Sequence, residues 1–539
     1  MKLFAALLFV AATACFAADQ TPPPAAPLSN DPPENPGKID PALPTIFIAG
    51  DSTAARARAP QQGWAVEFAK YLDLTKVNLS NRALGGRSSR TFITQGWWEK
   101  LMADVKAGDW VLIQFGHNDA SPVNEDPSTP REKMRSRGSL PGLGEETQDI
   151  VNVLTEKPET VRTFGSYVRQ MIRDVRAKGA TPILLSPTLR NQWQDGKVNR
   201  GGPHRAWSRD LAEAESLWFV DVSRLIADTY QQLGEEQVKT FFPKDNTHTN
   251  EAGADLTAQQ VARGLAGLKK ADFARWLSPA GAALTPDPIG WLNLPEPRDP
   301  KLPTLLLIGD STVRNGRGDG AGGQWGWGDP LATHFDSAKV NVVNRAIGGL
   351  SSRTFLTQGH WERALTLLKR GDVLLLQFGH NDSAPLNDDK RARGTIRGTG
   401  EETETIDNIL TKQRETVGTY GSYLRRYIRD AKAAGVTPIV CTLVPRKTWK
   451  DGKIVRSSDS YAAWAREVAQ QEKVACIDLN ALVAARYDEL GETAVNALFA
   501  DEHTHTSRAG AELNADIVAR ELARLVDADV KLAAFRPQR

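Results

Sequence analysis

At 539 residues the chain exceeds what one ordinary hydrophobic core organises, so two or more domains are expected. Hydrophobic residues at 40% and charged residues at 24% are the balance of a soluble globular protein. A formal net charge of +2, with no basic stripe interleaved with aromatics, argues against a nucleic-acid or anionic-membrane binder.

In chain order, Lys2 and the apolar run LFAALLFVAATACFA read as a signal peptide over residues 1–18, with cleavage after Ala17 or Ala18. The run is too short to span a bilayer, and no later stretch qualifies. An exported protein, periplasmic or secreted, is the expectation; Cys15 offers a lesser lipoprotein alternative. Residues 19–42 form a proline-rich linker, expected to be extended and unpacked.

A first domain is expected over residues 43–278. TIFIA, VLIQF, PILLS and WFVDV are short apolar runs bounded by turn residues, as in strands buried on both faces. Between them lie helical patterns such as 160–178, where Val161, Phe164, Val168, Ile172 and Val175 recur at helical spacing. Strand–helix alternation predicts a parallel sheet covered by helices on both sides. GDS, GG and GHND each follow an apolar run, so they should meet at one edge of that sheet.

Residues 279–301 form a second proline-rich linker, in which Trp291 and Leu292 can pack on one domain. Residues 302–539 then repeat the first domain. LPTIFIAGDSTA (43–54) matches LPTLLLIGDSTV (302–313), and VNLSNRALGGRSSRTFITQG (77–96) matches VNVVNRAIGGLSSRTFLTQG (340–359). VLIQFGHND (111–119) matches LLLQFGHND (374–382), and TPILLSPTLR (181–190) matches TPIVCTLVPR (437–446). The period is far too long for a solenoid unit, so these are two tandem domains. Cys441 and Cys476 take the places of Leu185 and Phe219, which predicts apolar free thiols and not a disulfide.

Of the eight histidines, only two positions are histidine in both repeats: His117 with His380, and His248 with His505. These are the candidate bases if the repeats share a chemistry. Asp245 lies three residues before His248, where a carboxylate can orient the ring; Asn250 reads as a helix N-cap. The candidate nucleophiles are Ser52 and Ser311, each in GDST after a buried strand; the plainer alternative is that Asp51 and Ser52 only cap the next segment. Gly86, the amide of Asn118 and the backbone N–H of Ser52 could together stabilise an oxyanion. His503 has Asn246 as its counterpart and no repeating ligand cluster, so no metal is expected.

GDST, the Gly-Gly block, GHND and the terminal HTN and HTS blocks together resemble the SGNH (GDSL-type) hydrolases, and more narrowly the rhamnogalacturonan acetylesterases. The resemblance runs twice over nearly all of both domains. The glycine-rich NGRGDGAGGQWGWG (315–328) of the second repeat is also similar to that family's segment after the nucleophile. The resemblance implies two flavodoxin-like three-layer α/β/α domains with parallel sheets, a Ser-His-Asp triad and no cofactor. It assigns Ser52 and Ser311 as nucleophiles, His248 and His505 as bases, and Asp245 as orienter. Gly86 and Asn118, then Gly349 and Asn381, become the oxyanion hole. His117 and His380 become structural or substrate-contacting residues.

In the second repeat, FADEHTHTS (499–507) stands for FPKDNTHTN (242–250). Glu502 keeps the three-residue spacing to His505 and is the favoured orienter; Asp501 is the alternative. The expected activity is removal of acetyl groups from plant cell-wall polysaccharide, most directly acetylated rhamnogalacturonan. Alternatives are an acetylxylan esterase, a GDSL-type lipase or thioesterase, and a polysaccharide-binding protein whose second domain has lost catalysis. The partner is then an acetylated polysaccharide or oligosaccharide, with no nucleic acid and no stable membrane span. Trp193 and Trp449, in QWQDGK and TWKDGK, could form a sugar-stacking wall, whereas Trp207 and Trp464 fall in helical patterns and read as core.

Overall fold

The computed structural model describes residues 39–538. The expected signal peptide, Cys15 and all but the last residues of the first linker lie outside them. Among the described helices, none is long and apolar enough to cross a membrane.

Among the described residues the chain forms two units, one around each of two five-stranded sheets, drawn from residues 45–220 and 304–477. The first unit contains strands β1 (Thr45–Gly50), β2 (Asn78–Asn81), β3 (Trp110–Gln114), β4 (Thr147–Val151), β5 (Pro158–Arg162), β6 (Thr181–Leu185), β7 (Trp193–Gln194), β8 (Lys197–Val198) and β9 (Trp218–Val220). Its sheet runs in the order β2-β1-β3-β6-β9, while β4-β5 and β7-β8 are separate antiparallel hairpins. Every residue of β1 and β3 is buried, as strands covered on both faces require.

The second unit repeats the series with β10 (Thr304–Gly309), β11 (Asn341–Asn344), β12 (Val373–Gln377), β13 (Thr403–Asp407), β14 (Arg414–Gly418), β15 (Thr437–Cys441), β16 (Trp449–Lys450), β17 (Lys453–Ile454) and β18 (Ala475–Ile477). Its order is β11-β10-β12-β15-β18 with every sheet pair parallel. Even the register is repeated: Thr45 faces Asn78 as Thr304 faces Asn341. This is the predicted architecture, twice.

In the second unit the layers can be read residue by residue. Leu305, Leu307, Val373, Leu375, Ile439 and Cys441 pack to one side with Ala515, Val518 and Leu522 of helix Arg508–Ala528. Their strand neighbours Leu306, Ile308, Leu374, Leu376 and Val440 pack to the other side with Leu424, Tyr427 and Val468. The period-two alternation of strand side chains thus divides a continuous apolar run between two helical layers. Helix Phe164–Ala177 forms where the spacing predicts it, with Thr163 accepting a hydrogen bond from the Ser166 N–H as N-cap. Helix Tyr420–Ala433 has the same cap from Thr419.

Ile289 and Leu292 of the second linker are buried in the second unit's core, with Trp291 against it. The Leu292 carbonyl accepts from Arg314, and the Leu294 and Pro295 carbonyls accept from Arg345. Cys441 and Cys476 are both free thiols, Cys441 within the core, where burial raises its pKa.

Candidate active site

The chain turns sharply after β1. Asp51 is buried, and its carboxylate accepts from the Thr53 N–H and hydroxyl, while its carbonyl accepts from the N–H groups of Ala54 and Ala55. Asp51 therefore does the capping that the plainer sequence reading shared between two residues. Ser52 is left to point elsewhere. Its Oγ lies 2.8 Å from His248 Nε2, across 196 residues of chain.

His248 is held from behind. Its Nδ1 lies 2.8 Å from Asp245 Oδ2, and Asp245 Oδ1 accepts from the backbone N–H groups of Thr247 and His248. Gln61 adds a longer hydrogen bond to the same carboxylate at 3.3 Å. Burial raises the Asp245 pKa, but the hydrogen bonds from His248 and the loop outweigh it and hold the carboxyl below its ordinary value. Just beyond, Asn250 accepts from the Gly253 N–H at the start of helix Glu251–Ala266, which fixes the loop to a long element.

In the second unit Ser311 Oγ lies 2.9 Å from His505 Nε2. The carboxylate on His505 Nδ1 belongs to Asp501, at 2.5 Å, and not to Glu502, which is exposed. The expectation for Glu502 is thus corrected. The physical reason lies in the first half of the loop. The Ala500 N–H donates to the His505 carbonyl at 2.9 Å, and Phe499 pairs with Thr506, which closes the loop tightly. At the matching place the first unit has Pro243, which has no N–H to give. The tighter loop brings the earlier carboxylate inward, and the residue after it faces solvent.

Asp501 Oδ1 then accepts from three successive N–H groups, those of His503, Thr504 and His505. Burial works against its charge, but these bonds prevail and lower its pKa to about 2.

The other expected residues gather at the same sheet edges. A Cβ added to Gly348 would lie 3.3 Å from the Ser311 Cβ, so the Gly-Gly block packs directly against the nucleophile. Gly86 and Gly349 have φ of +76° and +85°, in the left-handed region that favours glycine. Asn118 and Asn381 are buried, and each donates one amide hydrogen to a backbone carbonyl, of Arg87 and Leu350 respectively, at 2.8 Å. That bond fixes the plane of the amide and leaves its second hydrogen for another acceptor.

His117 Nε2 bonds to Thr188 Oγ1 at 3.0 Å, and burial lowers the pKa of both His117 and His380. Trp193 and Trp449 start the small hairpins β7-β8 and β16-β17. Both are half-buried; Trp193 donates to Asn191, and Trp449 packs against the second unit's core. Among the described residues, no group of three or more His, Cys, Asp or Glu could hold a metal.

Sequence reasoning missed a buried frame behind the site. Arg90 donates through two nitrogens to both oxygens of Glu159, and through the third to the carbonyls of Val123 and Gly138. Arg353 does the same with Glu415, Leu386 and Gly394. The repeated SSRTF was the available signal.

Beside it, Asp119 and Asp382 accept from the N–H and hydroxyl of Ser89 and Ser352. Burial raises Asp119 to about 6 and Asp382 to about 7, against those hydrogen bonds. An acid whose folded pKa is raised contributes stability that is complete below its unfolded value, near 4, and lost as pH rises through the folded value. Asp382→Asn should therefore gain stability relative to wild type between pH 4 and 7. Urea unfolding midpoints across that range check this, and parallel curves for the two proteins would count against it.

The GDSL-like lipase/acylhydrolase family model matches residues 48–256 and 307–513, one region in each unit. A rhamnogalacturonan acetylesterase of Emericella nidulans is 33% identical over 216 residues, which is 40% of this chain and 81% of that protein. A probable rhamnogalacturonan acetylesterase of Bacillus subtilis, YesY, is 32% identical over 226 residues, covering 41% and 93%. Among solved structures, protein YxiM of Bacillus subtilis aligns with a TM-score of 0.33 and 28% identity, over 41% of this chain and 56% of that one. With the family model matched over most of its length, in two regions that each contain a serine bonded to a histidine, the chain belongs to the GDSL-like lipase/acylhydrolase family and is a carboxylic ester hydrolase.

Proposed function

We propose that both units are serine acetylesterases that remove acetyl groups from sugar hydroxyls of plant cell-wall polysaccharide, most directly acetylated rhamnogalacturonan. The observation that carries this reading is the continuous serine–histidine–carboxylate hydrogen-bond chain, present once in each unit. The substrate class is supported by the names of the two relatives. An exported location, read from residues 1–18, suits a polymer too large to enter a cell.

In the first unit, His248 takes the Ser52 proton as Oγ attacks the acetyl carbonyl. Negative charge develops on the carbonyl oxygen, where the N–H groups of Ser52 and Gly86 and the free amide hydrogen of Asn118 supply donors. His248 returns the proton to the departing sugar oxygen, and Asp245 stabilises the imidazolium between the two transfers. The same histidine then draws a proton from water, which attacks the acetyl-serine and releases acetate. Ser311, His505, Asp501, Gly349 and Asn381 perform the same steps in the second unit. Trp193 and Trp449, both half-buried, are the candidate residues for stacking on the sugar.

Acetate release from acetylated rhamnogalacturonan, acetylxylan and a long-chain p-nitrophenyl ester tests the reading. The pectic polymer should give the highest kcat/KM. Preference for the long-chain ester would point to a lipase, and turnover of none by folded protein would remove the esterase mechanism.

A further inference from the structure

In each unit the oxyanion glycine is met by arginine that the chemistry above does not use: Arg137 at Gly86 in the first, Arg393 and Arg391 at Gly349 in the second. Fifteen residues separate Asp119 from Arg135, whereas eight separate Asp382 from Arg391. Despite this difference the two loops end alike, in Arg135-Ser-Arg137-Gly138 and Arg391-Ala-Arg393-Gly394.

The endings are anchored in the same way. The Gly138 and Gly394 carbonyls accept from the buried Arg90 and Arg353, and their N–H groups donate to the carbonyls of Pro122 and Pro385. A Cβ would stand 1.8 Å from the Ser121 carbonyl oxygen at Gly138, and 1.9 Å from that of Ala384 at Gly394, so only glycine fits. The residue between the arginines is left-handed in both loops, with φ of +32° at Ser136 and +40° at Ala392. Non-glycine residues adopt this conformation at an energetic cost, and such costs gather at functional sites.

The guanidinium groups meet the oxyanion glycines. Arg137 Nη1 donates to the Gly86 carbonyl at 3.1 Å, and Arg393 Nη1 to the Gly349 carbonyl at 2.6 Å. Arg391 Nη1 lies 2.9 Å from where a Gly349 Cβ would be. Among the described residues, no carboxylate makes an ion pair with Arg137, Arg391 or Arg393, and Arg393 Nε is buried without a hydrogen-bond partner. The buried Asp51 and Asp119 attract Arg137, and Asp310, Asp382 and Asp388 attract Arg393, without a hydrogen bond to either; Asp388 is taken up by the N–H groups of Arg391 and Ala392. Burial and the neighbouring arginine both lower the pKa of Arg137 and of Arg393. Arg137 and Arg393, partly buried beside a second positive charge and with no acid in hydrogen-bond reach, are only partly compensated until an anion arrives.

We infer that Arg137 in the first unit, and Arg393 with Arg391 in the second, form a clamp for the carboxylate of a uronic acid at or next to the acetylated sugar. The proposal rests on the acetylesterase reading for the kind of polymer that enters. A planar carboxylate matches the arginine fork with two parallel hydrogen bonds, and the link to the Gly86 or Gly349 carbonyl places it within one residue of the reacting ester. The clamp selects acetyl groups on acidic stretches of polymer over those on neutral ones.

The test is a cycle between protein charge and ligand charge, read by calorimetric binding to the full chain. An oligogalacturonate and its methyl ester are compared on wild type and on R137Q/R393Q, in which glutamine keeps a donor for the glycine carbonyl. Wild type should bind the acid about tenfold or more tightly than the ester, and the variant should bind both alike. The same acid-to-ester ratio in variant and wild type would overturn the clamp. If the variant does not fold, the wild-type ratio decides alone, and a ratio below about twofold overturns the proposal. Acetate release from acetylated rhamnogalacturonan is measured in parallel. Deacetylation without charge coupling rejects the clamp only; charge coupling without deacetylation rejects the esterase reading and leaves the clamp standing.

Discussion

The double variant Ser52→Ala, Ser311→Ala should lose acetate release by about a millionfold in kcat, the scale of removing the nucleophile from a serine–histidine pair. Among the described residues, each hydroxyl is the only group hydrogen-bonded to Nε2 of its histidine, so no neighbour stands ready to take over the attack. The single variants are the more informative half of the experiment. Ser52→Ala leaves the Ser311–His505–Asp501 chain intact, and Ser311→Ala leaves Ser52–His248–Asp245. Each should retain the turnover of the surviving unit, and the two residual rates should sum to that of wild type. A double variant that still releases acetate at a wild-type rate would refute both assignments.

The second large effect is expected at Asp501. In a Ser52→Ala background, where only the second unit turns over, Asp501→Asn should lower kcat by about ten-thousandfold. The amide places a donor where His505 Nδ1–H needs an acceptor, so the ring is held in the wrong tautomer. Glu502→Gln in the same background should stay within about twofold, because Glu502 is exposed and outside the hydrogen-bond chain. The reverse ranking would restore Glu502 as the orienter. Steady-state kinetics on one acetylated substrate suffice to decide.

Much of the fold was legible because it rests on local pattern. TIFIA, VLIQF and their twins are apolar runs of strand length, and Val168, Ile172 and Val175 recur at helical spacing. The repeat then supplied a second, independent reading of every element. Ser52, Asp245 and His248 were legible for the same reason, since each sits in a short segment that ends a strand or begins a helix.

Asp501 was legible only as the alternative to Glu502, because spacing in sequence does not measure the reach of a carboxylate. Its position depends on whether residue 500 can donate a backbone hydrogen bond, and the change from proline to alanine carries that information only once the loop is closed. Arg137 and Arg393 were hidden for a different reason. Their placement depends on Arg90 and Arg353 binding glycine carbonyls 48 and 41 residues away, a contact that no local pattern announces.

The displaced carboxylate of the second unit bears on how pseudoenzymes are recognised. A search that demands aspartate three places before the histidine would class residues 302–539 as a degenerate copy. Yet the ring there has its serine on one nitrogen and its acid on the other. Drift in such a loop is constrained by where oxygen and nitrogen atoms end up, and the register of letters is free to slip as long as the backbone takes up the difference. Degeneracy is therefore better judged from the closed loop than from the alignment column.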